Sequence, residues 1–154
     1  MSTIKDRRVL ITGGAGFIGS WLAEALTTLG AKVTVLDNLS TGSPKNIEHL
    51  LHLPNFRFLS GDVSNLNVEE KYDLLVHAAS LPAPDLYVEK PVETMLTNSL
   101  GTLNILEASR KHSSTVLYTS TSEVYGDAEV IPTPESYWGR VNPIGIRSPY
   151  DESK

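Results

Sequence analysis

Tyr150 and Lys154 stand four residues apart, so on a helix they share one face. A phenol with its ordinary pKa of about 10 is a poor base at neutral pH. A neighbouring ammonium stabilises the phenolate, which then accepts a proton from an alcohol. Upstream lies the hydroxyl-rich run Thr119-Ser120-Thr121-Ser122, followed by Glu123. The hydroxyls of Thr121 and Ser122 can hydrogen-bond and orient an alcohol, and Glu123 adds a carboxylate. Tyr-x-x-x-Lys also occurs on ordinary surface helices, and hydroxyls also solvate strand ends, so context must decide.

That context begins at Thr12-Gly13-Gly14-Ala15-Gly16-Phe17-Ile18-Gly19, where glycines recur as G-x-G-x-x-G and G-x-x-G-x-x-G. Such a turn brings backbone amides to a pyrophosphate at a helix start, and a side chain would hold the phosphate away. A plain strand-to-helix turn is the simpler alternative. Asp37 follows Gly19 by 18 residues and ends a second apolar run. Its carboxylate can accept both ribose hydroxyls of an adenosine and repels a 2′-phosphate, which favours NAD over NADP; a loop cap is the plainer role. Asp62, after Gly61, suits an adenine amino group or an ordinary turn. His77, before Ala78 and Ala79, reads as a packed structural histidine, and the two alanines leave room for a cofactor.

The elements that must position these residues alternate. Apolar runs at 8–12, 32–36, 56–59, 74–78 and 115–119 read as strands. Phe17 to Leu29 has a helical period (Phe17, Ile18, Trp21, Leu22, Ala25, Leu26, Leu29) and stops at Gly30; 46–53 reads as a short helix. Leu81 to Pro84 is expected to be irregular, 92–112 one long helix with a core stripe including Val92, Met95, Leu96, Leu103 and Leu106, and 131–149 a loop. Asn98 and Thr102 fall on another face of that helix. Gly101, between them, implies close packing or a cofactor, because glycine costs about 1 kcal/mol against alanine there. The expected fold is α/β, a doubly wound parallel sheet ordered 3-2-1-4-5.

With 154 residues, 40% hydrophobic and 20% charged, the chain can bury a core. Its net charge of −5 gives no electrostatic reason to expect nucleic acid or an anionic membrane as partner. The absence of cysteine excludes disulfides and thiolate chemistry, and no metal site is expected. No signal peptide or apolar span is evident, so a cytoplasmic location is expected.

The stretches TGGAGFIG, LDNLSTG, GDV, HAAS, TNSLGTLNILEAS, STSEVYGD and YDESK together resemble the extended short-chain dehydrogenase/reductase family. The likeness is to its nucleotide-sugar epimerases, dehydratases and decarboxylases, and spans nearly the whole chain. It implies a Rossmann domain that binds NAD through Gly13, Gly16, Phe17, Ile18, Gly19, Asp37, Asn38, Asp62, Val63, Ala78, Ala79, Asn98, Tyr150 and Lys154. Asn98 serves equally well as a buried structural amide. Thr121-Ser122-Glu123 together with Pro134 to Lys154 resembles the UDP-glucuronate decarboxylases of the family. Similar epimerases usually carry no acid at Glu123, and similar dTDP-glucose dehydratases have an aspartate where this chain has Ser122. The resemblance therefore implies a UDP-sugar substrate, UDP-glucuronate favoured, with another 4-epimerase or 4,6-dehydratase as alternative. A non-catalytic NAD-binding or regulatory module is the reading from a different class. The family's Ala-Ser-Pro-type segment reads Ser80-Leu81-Pro82-Ala83-Pro84 here, with its proline displaced.

Ser148, Pro149 and Asp151 read as the N-cap, first turn and early acid of a new helix. Isolated helices shorter than about 12 residues are marginal, so Tyr150 and Lys154 are expected to fray. The resemblance implies further strands and a sugar-binding lobe beyond residue 154, and a homodimer paired through the long helix. Residues 1–154 are thus expected to form an incomplete NAD-binding domain, with Val116 and Leu117 on an open edge and little turnover alone.

Overall fold

The computed structural model describes residues 3–154. Five strands, β1 (Arg8–Thr12), β2 (Lys32–Asp37), β3 (Phe56–Ser60), β4 (Leu74–His77) and β5 (Thr115–Tyr118), form one parallel sheet ordered β3-β2-β1-β4-β5. This is the doubly wound, Rossmann-like order expected. β-branched and leucine side chains point alternately to the two faces. Val9 and Ile11 of β1 join one core with Ala23, Val33, Val35, Ile47 and Leu50. Leu10 joins the other with Val63, Tyr72, Leu75 and Ile105. The register pairs Thr12 with Leu36 and His77, and His77 with Tyr118, so the strands' carboxyl ends lie side by side.

Helix α1 (Phe17–Thr28) forms where expected, but its most buried positions are small residues and only part of its apolar set faces the core. Gly19, Ser20, Ala23 and Thr27 are buried, while Phe17 and Trp21 are 81% and 65% exposed. Small side chains let the helix axis come close to the sheet; a Cβ on Gly19 would lie 2.2 Å from the Gly13 carbonyl oxygen. Phe17, Ile18 and Trp21 are thereby turned outward, while Leu22 and Leu26 pack half-buried against the core.

The expected single helix from 92 to 112 is two, α3 (Pro91–Asn98) and α4 (Leu100–His112), preceded by α2 (Pro84–Glu89), which the sequence reading missed. The break falls at Ser99, where the Ser99 and Thr102 hydroxyls donate to the Met95 and Asn98 carbonyls one turn back. Such back-bonding bends helices. The stripe expected in the core is exposed, with Val92 at 64% and Leu103 at 52%. Gly101, Ile105 and Ala108 are buried instead. Gly101 is explained by packing, since a Cβ there would sit 2.7 Å from a Val63 methyl.

The segment read as a helix over 46–53 is two 3-10 turns, Pro44–Asn46 and Glu48–Leu50, pinned by buried Ile47 and Leu50. At the far end, α5 (Ser148–Asp151) has Arg147 rather than Ser148 at its N-cap position, with no side-chain capping bond. It is not frayed: Tyr150 is only 6% exposed. Tertiary packing replaces the missing helix length. β5 is an edge of the sheet, with Leu117 exposed.

Candidate active site

At the carboxyl ends of β1, β2 and β4 the sheet opens into a crevice of about 490 Å³. Of the cofactor-binding residues expected from sequence, Gly13, Gly16, Phe17, Ile18, Gly19, Asp37, Asn38, Val63, Ala78 and Ala79 line it. Gly13 has φ +70°, and a Cβ there would lie 2.6 Å from Ala79 Cα, so conformation and space both demand glycine. The turn leads into α1, whose first amides lack intrahelical partners and face an anion favourably.

Asp37 is buried at the end of β2. One oxygen accepts the Ala15 N–H at 2.9 Å and the other the Leu39 N–H at 2.8 Å. Each carboxylate oxygen keeps a further lone pair, so ribose hydroxyls can still be accepted. Among the described residues, no lysine or arginine lines the crevice to neutralise a 2′-phosphate. The glycine cradle, the free helix amides and this carboxylate fit an unphosphorylated adenine dinucleotide such as NAD.

Asp62 lies beside the crevice and not in its lining. It caps the 3-10 turn Val63–Asn65, accepting from Ser64 N at 2.8 Å and Ser64 Oγ at 2.6 Å, while Asn38 Nδ2 donates to its other oxygen at 2.8 Å. Burial works against its charge, yet the bonds from Ser64 and Asn38 hold its pKa below the ordinary value. Asn98 is fully buried, linking Ser80 Oγ (2.9 Å) to Ser153 Oγ (3.0 Å), a tie between β4's end and the last residues of the chain.

His77 is buried, with Nδ1 2.7 Å from Thr12 Oγ1, and its Nε2 has no hydrogen-bond partner among the described residues. Burial, with the charge of Lys154 adding to it, pushes its pKa down to about 4. It is a neutral structural group at neutral pH.

The Tyr150 ring stacks on Tyr87 of α2, centroids 5.1 Å apart at 15°. Lys154 Nζ donates to the Thr119 carbonyl at 2.6 Å and sits 4.8 Å from the centre of the Tyr118 ring. Burial lowers its pKa from the ordinary lysine value. Thr121 caps the 3-10 turn Ser122–Tyr125 by accepting the Glu123 N–H at 3.3 Å. The Glu123 carboxylate pairs with Arg147, whose guanidinium lies 6.0 Å from the Tyr87 ring centre. Glu123, Arg147, Tyr87 and Tyr150 thus form one continuous cluster. Arg147 and Tyr87 were missed from sequence, although Arg147 stands three residues before Tyr150. The lining residues Ser40, Thr41, Leu81, Pro82 and Thr97 were missed as well. Ser40 and Thr41 had a signal in standing three and four residues after Asp37; Thr97 had none.

Among the described residues, no group of three or more His, Asp or Glu is placed to hold a metal, and no helix is long and apolar enough to cross a membrane.

A parallel sheet with a glycine cradle, an acid at the second strand's end and a Tyr-x-x-x-Lys pair beyond the fifth defines a dinucleotide-binding domain of the Rossmann type. Residues 9–154 match the NAD dependent epimerase/dehydratase family, and the chain belongs to it. It is 49% identical over 154 residues to UDP-glucuronic acid decarboxylase 1 of Xenopus tropicalis, covering 97% of this chain and 36% of that protein. Its fold is similar to a UDP-N-acetylglucosamine 4-epimerase from Methanobrevibacter ruminantium M1 solved with UDP-N-acetylmuramic acid (TM-score 0.83, 31% identity, 97% of this chain and 47% of that one). It is also similar to the Bordetella bronchiseptica enzyme WbmG solved with NAD (TM-score 0.82, 27% identity, 97% and 47%). The chain spans less than half the length of each.

Proposed function

We propose that the polypeptide carrying this chain decarboxylates UDP-glucuronate to UDP-xylose, with residues 1–154 contributing its NAD-binding domain. The likeness to a UDP-glucuronic acid decarboxylase along 97% of the chain carries this reading, and Glu123 beside Ser122 supports it. NAD⁺ bound in the crevice supplies a reversible acceptor for the hydride at the sugar C4. Tyr150 takes the proton of the C4 hydroxyl, Lys154 favours the phenolate, and Thr121 and Ser122 orient the alcohol. Oxidation at C4 makes the sugar a β-keto acid, so its C6 carboxylate leaves as CO₂ and the electron pair enters an enolate. Glu123 then handles the proton that C5 regains, and C4 recovers the hydride it gave up together with a proton from Tyr150, which gives UDP-xylose.

Gly13, Gly16, Phe17, Ile18 and Gly19 hold the pyrophosphate in this reading, with Asp37 and Asn38 on the adenosine ribose and Asp62 and Val63 beside the adenine. Ala78 and Ala79 border the dinucleotide, and Asn98 positions the last turn. The exposed apolar face of α3 and α4 suits a homodimer, and the location proposed is cytoplasmic.

The test is incubation of the full-length polypeptide with UDP-glucuronate and NAD⁺, following CO₂ and UDP-xylose. Equimolar release of both is expected. A C4 epimer without CO₂ would make the protein an epimerase, and a 4-keto-6-deoxy product from a nucleotide hexose would make it a dehydratase. NAD⁺ binding without turnover of any of these sugars would favour the non-catalytic module.

A further inference from the structure

The glycine turn is held from a direction that neither the glycines nor Asp37 explain. The Ala15 carbonyl accepts two hydrogen bonds from the loop after β2: Ser43 N at 3.0 Å and the side-chain Nδ2 of Asn46 at 2.8 Å. In a helix extended by one residue at its start, that carbonyl would accept the Gly19 N–H. Here the first α1 bond of this kind is Ser20 N to Gly16 O at 3.0 Å. The same peptide plane is fixed at its other end by Gly16 N donating to Gly13 O at 3.1 Å, and the preceding plane by Ala15 N on Asp37.

We propose that Asn46 is a positioning residue for the pyrophosphate-binding turn. Its amide draws the Ala15 carbonyl toward the loop and leaves the first amides of α1 directed at the dinucleotide. The side chain reaches across 31 residues of sequence to do so. Its own place is set by the turn Pro44–Asn46 and by the buried Ile47 next to it. Turn and loop are in this way organised before the cofactor arrives, which lowers the ordering cost of binding.

The inference rests on NAD occupying the crevice, and the test separates the two. Affinities for NAD⁺, ADP-ribose and adenosine are measured by calorimetry on the full-length polypeptide, unaltered and as Asn46→Asp and Asn46→Ala, beside thermal melts without ligand. Either substitution is expected to weaken NAD⁺ and ADP-ribose, which share the pyrophosphate, by about tenfold, the loss of one net hydrogen bond. Adenosine, which lacks the pyrophosphate, should bind as before, and the unliganded melting temperature should move by no more than a few degrees. Equal weakening of all three ligands, unchanged NAD⁺ affinity, or failure of both variants to fold would overturn the role. Unaltered protein that ignores NAD⁺ would overturn the cofactor reading beneath it.

Discussion

Asp37 acts through both faces of one carboxylate: it fastens two backbone amides of the surrounding turns and keeps lone pairs toward the crevice. Replacing it with alanine should raise the NAD⁺ dissociation constant tenfold or more, at about 1.5–3 kcal/mol for a bond to a charged group; fluorescence titration of NADH checks this. His77 carries a different consequence. Its folded pKa of about 4 lies below its ordinary 6.5, so between these values the unfolded chain binds more protons. The stabilisation is complete above pH 6.5 and is lost as pH falls through 4, at up to about 1.4 kcal/mol per pH unit. Urea midpoints at pH 7.5, 5.5 and 4.5 should fall accordingly, and His77→Gln should flatten that dependence. Both roles were partly legible: an acid at a strand end and a histidine in an apolar run are visible as letters. The buried Asn98 bridge and the Glu123–Arg147 pair were not, because their partners lie 18 to 55 positions away and only folding brings them together.

At the scale of elements, proximity of backbones decides which residue types are tolerated. Gly101→Ala gains about 1 kcal/mol in helix propensity. The added methyl would meet Val63 at 2.7 Å, however, and overpacking of this kind costs about 1–3 kcal/mol. The expected result is a lower melting temperature from a substitution that usually stabilises helices, read by calorimetry. α5 is a four-residue helix held by its neighbours. Tyr87→Ala should remove the stacked partner of Tyr150 and loosen that segment, seen as faster amide hydrogen exchange over 148–154 with β1–β4 unchanged. Helical periodicity located α1 and α4 but misjudged the inner face of α4 and did not single out the small residues that α1 buries. Periodicity ranks residues by hydrophobicity, whereas close packing on a sheet selects them by size.

For the whole molecule, the parallel sheet brings the ends of β1, β2 and β4 together as one ligand-facing edge, while α3 and α4 present Val92, Met95, Leu96, Leu103 and Leu106 to solvent. If that face pairs with a second copy, Leu96→Glu and Leu103→Glu together should yield monomers in sedimentation velocity, whereas the unaltered full-length polypeptide sediments as a dimer. By itself the sequence determined the strand order and the first helix, the glycine turn and its acid, and the family resemblance, because these depend on local pattern and on residues near one another along the chain. Only the tertiary structure decided which helix faces are buried, that Tyr150 is packed rather than loose, and that Lys154 reaches the Thr119 carbonyl. Those outcomes depend on space filled and hydrogen bonds completed between segments far apart in the chain, and no single segment carries that information.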